Sequence, residues 1–256
     1  MIEDVILIAR EAGEVIKEAF RTNFSVEFKT NETNLVTEVD TKSEQMIIDF
    51  ISKKYPNHGI LAEESGGDYK NKEYVWIVDP LDGTTNFAHG LPIFSVSIGV
   101  QKNGKTICGV VYDVMQDLLY TAESGSGAFC NKRKLKVSAN ENLHHSVVVT
   151  GFPYDIADNP YNAIELFSAF LKQSRAVRRL GSAAIDMCYV ADGVFDGFWE
   201  VKLNPWDVCA GSLIVEEASG FVTDFKGNPR DLFSKEILAS NEKVHKSMME
   251  IIAGIL

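Results

Sequence analysis

Apolar side chains recur at helical spacing near the start of the chain, at Val5, Ile8, Ala9, Ala12, Val15, Ile16 and Ala19, and predict an amphipathic helix over residues 2–20. A second helix is predicted to begin after Asp40. Thr41-x-x-Glu44 has capping-box spacing, Met46, Ile47, Phe50 and Ile51 form a stripe, and Pro56 closes it. Further along, residues 74–78, 93–101, 106–112 and 118–122 read as strands, with Asn103-Gly104 as a hairpin turn. From about residue 145 strands alternate with helices: "SVVVTG" before a helix near 160–173, "AVRRLG" before "SAAIDMCYVADG", "VFDGFWE" before "WDVCAGSLIVEEASG", and "GFVTDF" and "EILAS" before a final helix. The pattern predicts an α+β chain: two helices on an antiparallel meander over residues 1–144, then a layered α/β unit over 145–256. No linker composition marks the junction, so the two halves are expected to pack tightly.

Composition narrows the function. The 256 residues are 45% hydrophobic, enough for a large core, and carry a formal charge of −11. An acidic surface argues against a nucleic-acid footprint, which needs clustered Lys and Arg. The one basic cluster, "NKRKLKVS" at 131–138, reads as a solvated hairpin. Glu3 and Asp4 stand where a signal peptide would be basic, and no apolar run approaches the ~18 residues of a membrane span. Cys108, Cys130, Cys188 and Cys209 lie far apart without a CxxC and read as reduced core thiols, which places the protein in the cytoplasm.

Acids at the ends of apolar runs carry the chemistry. In "EYVWIVDPLDGTTNFAHG" a strand is expected to end at Asp79, because Pro80 cannot continue a ladder, and Asp82 follows at once. Two carboxylates about 4 Å apart repel by roughly 4 kcal/mol at an effective dielectric near 20. Such a pair persists with a proton or a cation between its members, or else the residues are ordinary turn formers. "GILAEESGG" repeats the design with Glu63 and Glu64, and "NPWDVCAG" places Asp207 at the start of an apolar helix, where capping is the competing reading. Asp40 after "LVTEV" reads most simply as a helix cap. There is no HExxH, and His144 and His145 read as surface residues, so an oxygen-only site favours Mg²⁺ over zinc. Gly83 and Thr84 after Asp82, and "LGSAAIDM" at 180–187, offer helix starts that expose N–H groups to an anion. Metal-holding acids beside anion-facing N–H groups suggest phosphate chemistry.

"WIVDPLDGTTNF" and "NPWDVCAG" resemble the two signatures of the inositol monophosphatase family; "LVTEVD", "AEE", "LGSAA", "FWE" and "EASG" fit in order, from the first helix nearly to the last residue. The resemblance implies the layered αβαβα fold of the sugar phosphatases, a homodimer, lithium sensitivity and two or three Mg²⁺ ions. It implies that Glu63, Asp79 and the Leu81 carbonyl hold one metal, and Asp79, Asp82 and Asp207 a second, with a weaker third near Glu63. It further implies that Gly83 and Thr84 face the phosphate, that Asp40 and Thr84 orient the attacking water with help from Glu64, and that Gly181, Ala183 and Glu200 touch the alcohol. Lys29 matches a lysine on a mobile loop near the metals. The activity implied is hydrolysis of myo-inositol monophosphate and related polyol or sugar phosphates. Relatives that cleave fructose 1,6-bisphosphate, 3′-phosphoadenosine 5′-phosphate or histidinol phosphate supply the alternatives. At most part of the Arg175, Arg178 and Arg179 cluster is expected to reach the pocket, since Arg178 and Arg179 alternate across a strand. An accessory binding role in transcription or ribosome assembly, known among bacterial relatives, is the alternative of another class.

Overall fold

The first apolar stripe forms helix α1, Ile2–Ala19, which buries Val5, Ile8, Ala9, Ala12 and Ile16. The computed structural model describes residues 1–29, 34–229 and 231–256. A two-stranded antiparallel ribbon follows, β1 (Val26–Phe28) and β2 (Leu35–Thr37); such short strands leave no periodic signal in the sequence. Helix α2 spans Glu38–Lys54 and begins three residues earlier than expected. Its capping box is Thr37 with Asp40, not Thr41 with Glu44: the Thr37 side chain accepts from the helix backbone while the Asp40 carboxylate accepts from the Thr37 N–H.

Seven strands then form one sheet: β3 (Gly59–Ala62), β4 (Tyr74–Asp82), β5 (Ser95–Lys102), β6 (Lys105–Asp113), β7 (Leu118–Glu123), β8 (Gly127–Cys130) and β9 (Arg133–Lys134), paired in that order. The meander is antiparallel from β4 onward, but β3 runs parallel to β4. The Asn103-Gly104 turn and the solvated basic hairpin lie where the sequence places them. Between β4 and β5 lies helix α3, Thr84–Ala88.

A second sheet, in the order β11-β10-β12-β14-β13, is built from β10 (Val147–Thr150), β11 (Ala176–Arg178), β12 (Gly197–Val201), β13 (Phe221–Thr223) and β14 (Glu236–Ser240). Its helices are α4 (Ala163–Gln173), α5 (Ala183–Ala191), α6 (Pro205–Glu217) and α7 (Glu242–Ala253).

Strand alternation sorts side chains into layers. Val96, Ile98, Val100 and Val110 pack on α1 and α2, while Val111, Tyr120 and Ala122 face α5 and α6. In the second sheet Val149 and Phe198 face α5 and α6, while Val148 and Trp199 pack under α4 and α7. The result is the expected αβαβα sandwich, with α5 and α6 as its middle layer. Two strand glycines bring α6 close: a Cβ on Gly99 would lie 2.4 Å from Cys209 Sγ, and one on Gly109 2.9 Å from Ala210 Cα.

Candidate active site

Strand β4 does not stop at Asp79. It continues through Pro80 to Asp82, with a register shift between the two acids. Asp79 lies opposite Ser97 and Asp82 opposite Ser95, so three steps on β4 match two on β5. This bulge absorbs the N–H that proline lacks. It also decides where the acids point. Three residues apart on a regular strand, they would face opposite sides of the sheet; the extra residue puts both on the face where Ser95 and Ser97 lie, toward α6.

Asp207 comes from that helix. Asn204 and Pro205 start α6, Asp207 is the third helical residue, and its carboxylate accepts the Asn204 N–H at 2.6 Å. The capping reading of Asp207 is therefore correct in its hydrogen bond, yet the same cap seats the carboxylate in the cleft with Asp79, Asp82 and Glu63. Glu63 follows the end of β3, beside Val78, whose carbonyl accepts the Glu63 N–H at 3.1 Å.

The surroundings hold these acids in place. Asp82 accepts from the Ser182 hydroxyl and from the Ala184 N–H at 2.9 Å, so the start of α5 is spent on a carboxylate of the other sheet. Asp79 accepts from the Leu81 N–H at 3.0 Å. Asp40 accepts from the Thr37 N–H at 2.9 Å and from the Thr84 hydroxyl at 2.8 Å, and that hydroxyl also lies 3.1 Å from the Leu81 carbonyl. The Asp40–Thr84 pair is therefore present, and Asp40 is a cap as well. Lys29 donates to Glu63 at 2.8 Å and to Glu64 at 2.6 Å. The rest of the "FKTNETN" loop, residues 30–33, lies outside the described residues.

On the opposite wall Glu200 of β12 sits against Gly151, where a Cβ would come within 2.3 Å of its Oε1. Gly83 and Gly181, both at positive φ, bring the two loops together: a Cβ on Gly83 would lie 3.3 Å from the Gly181 carbonyl oxygen. Asn86 ties the same loops, donating at 2.8 Å to the carbonyls of Ile93 and of Leu180. The cleft has a volume of about 480 Å³ and its lining includes Glu63, Asp79, Leu81, Asp82, Gly83, Thr84, Gly181, Ala183, Glu200 and Asp207. Of the expected site residues, Asp40 and Glu64 stand behind this lining rather than in it.

Several participants carry weak sequence signals. Buried Glu44 accepts the N–H groups of Glu64 and Ser65, each at 2.8 Å, and so shapes the turn that carries Glu63. Ser43 donates to the Pro80 carbonyl at 3.0 Å. The four-residue spacing of Asp40 and Glu44, which puts both on one helix face, is the signal that could have found Glu44. Asp186, one turn into α5, is buried with its Oδ1 unpartnered, and it borders the cleft. Tyr154 reaches over from the loop after β10 and hydrogen-bonds Thr85.

Electrostatics set this cleft apart. Burial, then Glu63, Asp82 and Asp207, raise the Asp79 carboxyl well above its ordinary range. Burial and then Glu63 do the same to Asp207. Burial lifts Asp82 to about 6 against the opposing hydrogen bonds from Ser182 and Ala184. Burial, reinforced by Glu63, takes Glu64 to about 7; burial, reinforced by Asp207, takes Glu200 to about 8. Among the described residues no group of three or more His, Cys, Asp or Glu side chains forms a ready-made metal-holding cluster; Glu63, Asp79, Asp82 and Asp207 are each turned onto a protein donor. The chemistry of the set nevertheless fits a hard divalent cation: several buried carboxylates and no nitrogen or sulfur donor, repelling one another in one cleft.

A model of the inositol monophosphatase family matches residues 2–255. The chain is 41% identical to "Phosphatase IMPL1, chloroplastic" of Arabidopsis thaliana, over 99% of this chain and 70% of that one. It is 41% identical to "Nus factor SuhB" of Pasteurella multocida, over 100% and 97% of the two chains. Its structure superposes on that of inositol monophosphatase from Anabaena with a TM-score of 0.88, at 37% identity, covering 100% of this chain and 96% of that one.

Proposed function

The chain belongs to the inositol monophosphatase family, and from that premise we propose that it is a Mg²⁺-dependent phosphatase that hydrolyses myo-inositol monophosphate and related polyol or sugar phosphates to alcohol and phosphate. The observation that carries this reading is the convergence of Glu63, Asp79, Asp82 and Asp207, from two neighbouring strands of one sheet and a helix of the middle layer, on one cleft.

Glu63, Asp79, Asp82, Asp207 and the Leu81 carbonyl would hold two or three Mg²⁺ ions, with Glu63 exchanging Lys29 for the cation. Magnesium, when bound, neutralises phosphoryl charge and acidifies water. The protein's own groups do the positioning. The N–H groups of Gly83 and Thr84 hold phosphate oxygens. The Thr84 hydroxyl, fixed by Asp40, orients the attacking water, and Glu64 orders its neighbours. Gly181, Ala183 and Glu200 fit the alcohol; Glu200 seats its carboxylate against Gly151 and offers acceptors to hydroxyl groups. Positioning and electrostatics are most of what phosphoryl transfer asks of a protein.

Asp79→Asn and Asp207→Asn should each lower magnesium-dependent phosphate release from myo-inositol 1-phosphate by about a thousandfold or more while the fold persists. Wild-type turnover by either variant would refute the ligand assignment. The relative named as a Nus factor, aligned along the whole chain, supports a second reading as a binding protein of the transcription machinery. Pull-downs with wild-type and Asp82→Asn protein separate the readings: polymerase components recovered by both would mark a role independent of catalysis.

A further inference from the structure

We propose that the outer edge of strand β1 is a docking site for an extended segment of a partner protein. That segment carries a basic residue between two apolar ones and adds to the β1–β2 ribbon as a third strand. The inference stands apart from the phosphatase reading, because β1 lies outside the lining of the catalytic cleft.

The ribbon is open on its β1 side: among the described residues it has two strands and no third. The Lys29 N–H donates to the Asn34 carbonyl at 2.8 Å and the Glu38 N–H to the Ser25 carbonyl at 3.3 Å. In this antiparallel register Ser25, Glu27 and Lys29 turn their backbone groups toward β2. Val26 and Phe28 therefore turn their N–H and C=O groups outward, where none of the described residues pairs with them. Their side chains are exposed as well, and Phe28, at 60%, is the most exposed large apolar residue among those described. Open edges are ordinarily blunted by proline, a bulge or an outward lysine. Strand β1 has no proline and no register shift, and Lys29 at its end is committed to Glu63 and Glu64.

The one charge within β1, Glu27, selects the occupant. It lines a groove of about 760 Å³ between the ribbon and α2, together with Val36, Lys42, Met46, Glu38 and Asp49. Three acids there face one lysine. Glu38 accepts from the Ser25 hydroxyl at 3.1 Å and Asp49 from the Gln45 amide at 2.7 Å, both neutral donors. None of the four charges forms an ion pair with a described residue. A second copy docking in the register that pairs all three residues of β1 would set Glu27 opposite its own counterpart, and like charges directly opposite destabilise a sheet. A lysine or arginine in that place instead meets Glu27 above Glu38 and Asp49. Its apolar neighbours, on the opposite face of the added strand, cover Val26 and Phe28. Main-chain bonds to Val26 and Phe28 supply the attachment, and the alternation of basic and apolar side chains supplies the selectivity.

The probe is a capped seven-residue peptide in which valine alternates with arginine. One control replaces each arginine by glutamate. The other is N-methylated at its valines, which keeps the charge and removes the donors that would face β1. Calorimetric titrations use the full chain as wild type, Glu27→Lys and Val26→Pro; the proline removes an outward N–H that β2 does not use, so the ribbon persists. The wild type should bind the valine–arginine peptide about tenfold or more tighter than either control. Glu27→Lys and Val26→Pro should each weaken binding about fivefold or more. At saturation the Val26 and Phe28 amides of the wild type should exchange with solvent about tenfold or more slowly. Equal binding of all three peptides would reduce the effect to attraction by a chain of net charge −11 and overturn the proposal. No binding at about 1 mM peptide overturns it too, as do unprotected Val26 and Phe28 amides at saturation. A Glu27→Lys or Val26→Pro protein that melts and binds like the wild type does the same. A wild-type dimer that Val26→Pro converts to monomer in sedimentation would give the edge to a second copy, and the proposal would fall.

Discussion

At the scale of single residues, the site depends as much on what holds the acids as on the acids themselves. Glu44 is 3% exposed and makes no contact with the cleft, yet it accepts both N–H groups that turn the chain after Glu63. Glu44→Ala removes a charged acceptor from two N–H groups at once, which costs about 3 kcal/mol of stability. The freed turn also loses the aim of Glu63. Thermal melts and a magnesium titration should therefore show a lower Tm together with a roughly tenfold weaker requirement-curve midpoint; a variant that melts and titrates like the wild type would show that Glu44 is a passive neighbour. The acids were legible in the sequence because each stands at the end of an apolar run beside glycine or proline. Glu44 was not, because a carboxylate inside an amphipathic helix looks the same whether it faces water or a turn 20 residues away.

At the scale of elements, long periodic segments declared themselves and short or irregular ones did not. The α1 stripe and the strands after residue 90 matched closely, since a half-buried element repeats its burial along its length. The ribbon β1–β2 is three residues a side, too short to show a period. Pro80 predicts an end to β4 at Asp79, but a bulge tolerates it, and that bulge is what aims two aspartates the same way. Packing between elements sets a pH limit that periodicity could not show. His245 of α7 is buried between Ser240 of β14, 2.7 Å from its Nδ1, and Thr223 of β13, 2.9 Å from its Nε2. Burial lowers its pKa to about 4 from an ordinary value near 6.5. Between those values the unfolded chain takes up a proton that the native imidazole refuses, so this contribution to stability is present above about pH 6.5 and is lost as pH falls toward 4. After allowance for solvent screening it amounts to on the order of 2 kcal/mol. His245→Gln, which cannot titrate, should flatten the acid limb of the stability curve measured by urea unfolding; an unchanged limb would assign acid sensitivity elsewhere.

At the scale of the whole molecule, the two sheets and their middle layer act as a frame that presses carboxylates together, and the frame bears the strain. The folded pKa values of Asp82, Glu64 and Glu200 stand at about 6, 7 and 8, above the ordinary values of 3.8 and 4.5, with burial as the first cause in each. A raised carboxyl pKa means that the native state keeps a proton that the unfolded chain has given up, so stability is greatest at low pH and falls as pH rises through each folded value. His245 has the opposite sign on the acid side. The metal-free protein should therefore lose stability steadily from about pH 4 up to about pH 8, with the single opposing contribution of His245 offsetting only part of that fall below about pH 6.5. A bound divalent cation replaces those protons and binds the native state alone, so it stabilises by RT ln(1 + [L]/Kd), about 2.7 kcal/mol at a hundred times Kd. Magnesium should then lift the alkaline limb far more than the acid limb and move the optimum upward, while sodium chloride at equal ionic strength should do neither, because screening reaches buried pairs poorly. Melting curves across pH in chelator, magnesium and matched salt test this directly. Equal shifts from magnesium and sodium chloride would mean that the acids respond to ionic strength and not to a specific ion.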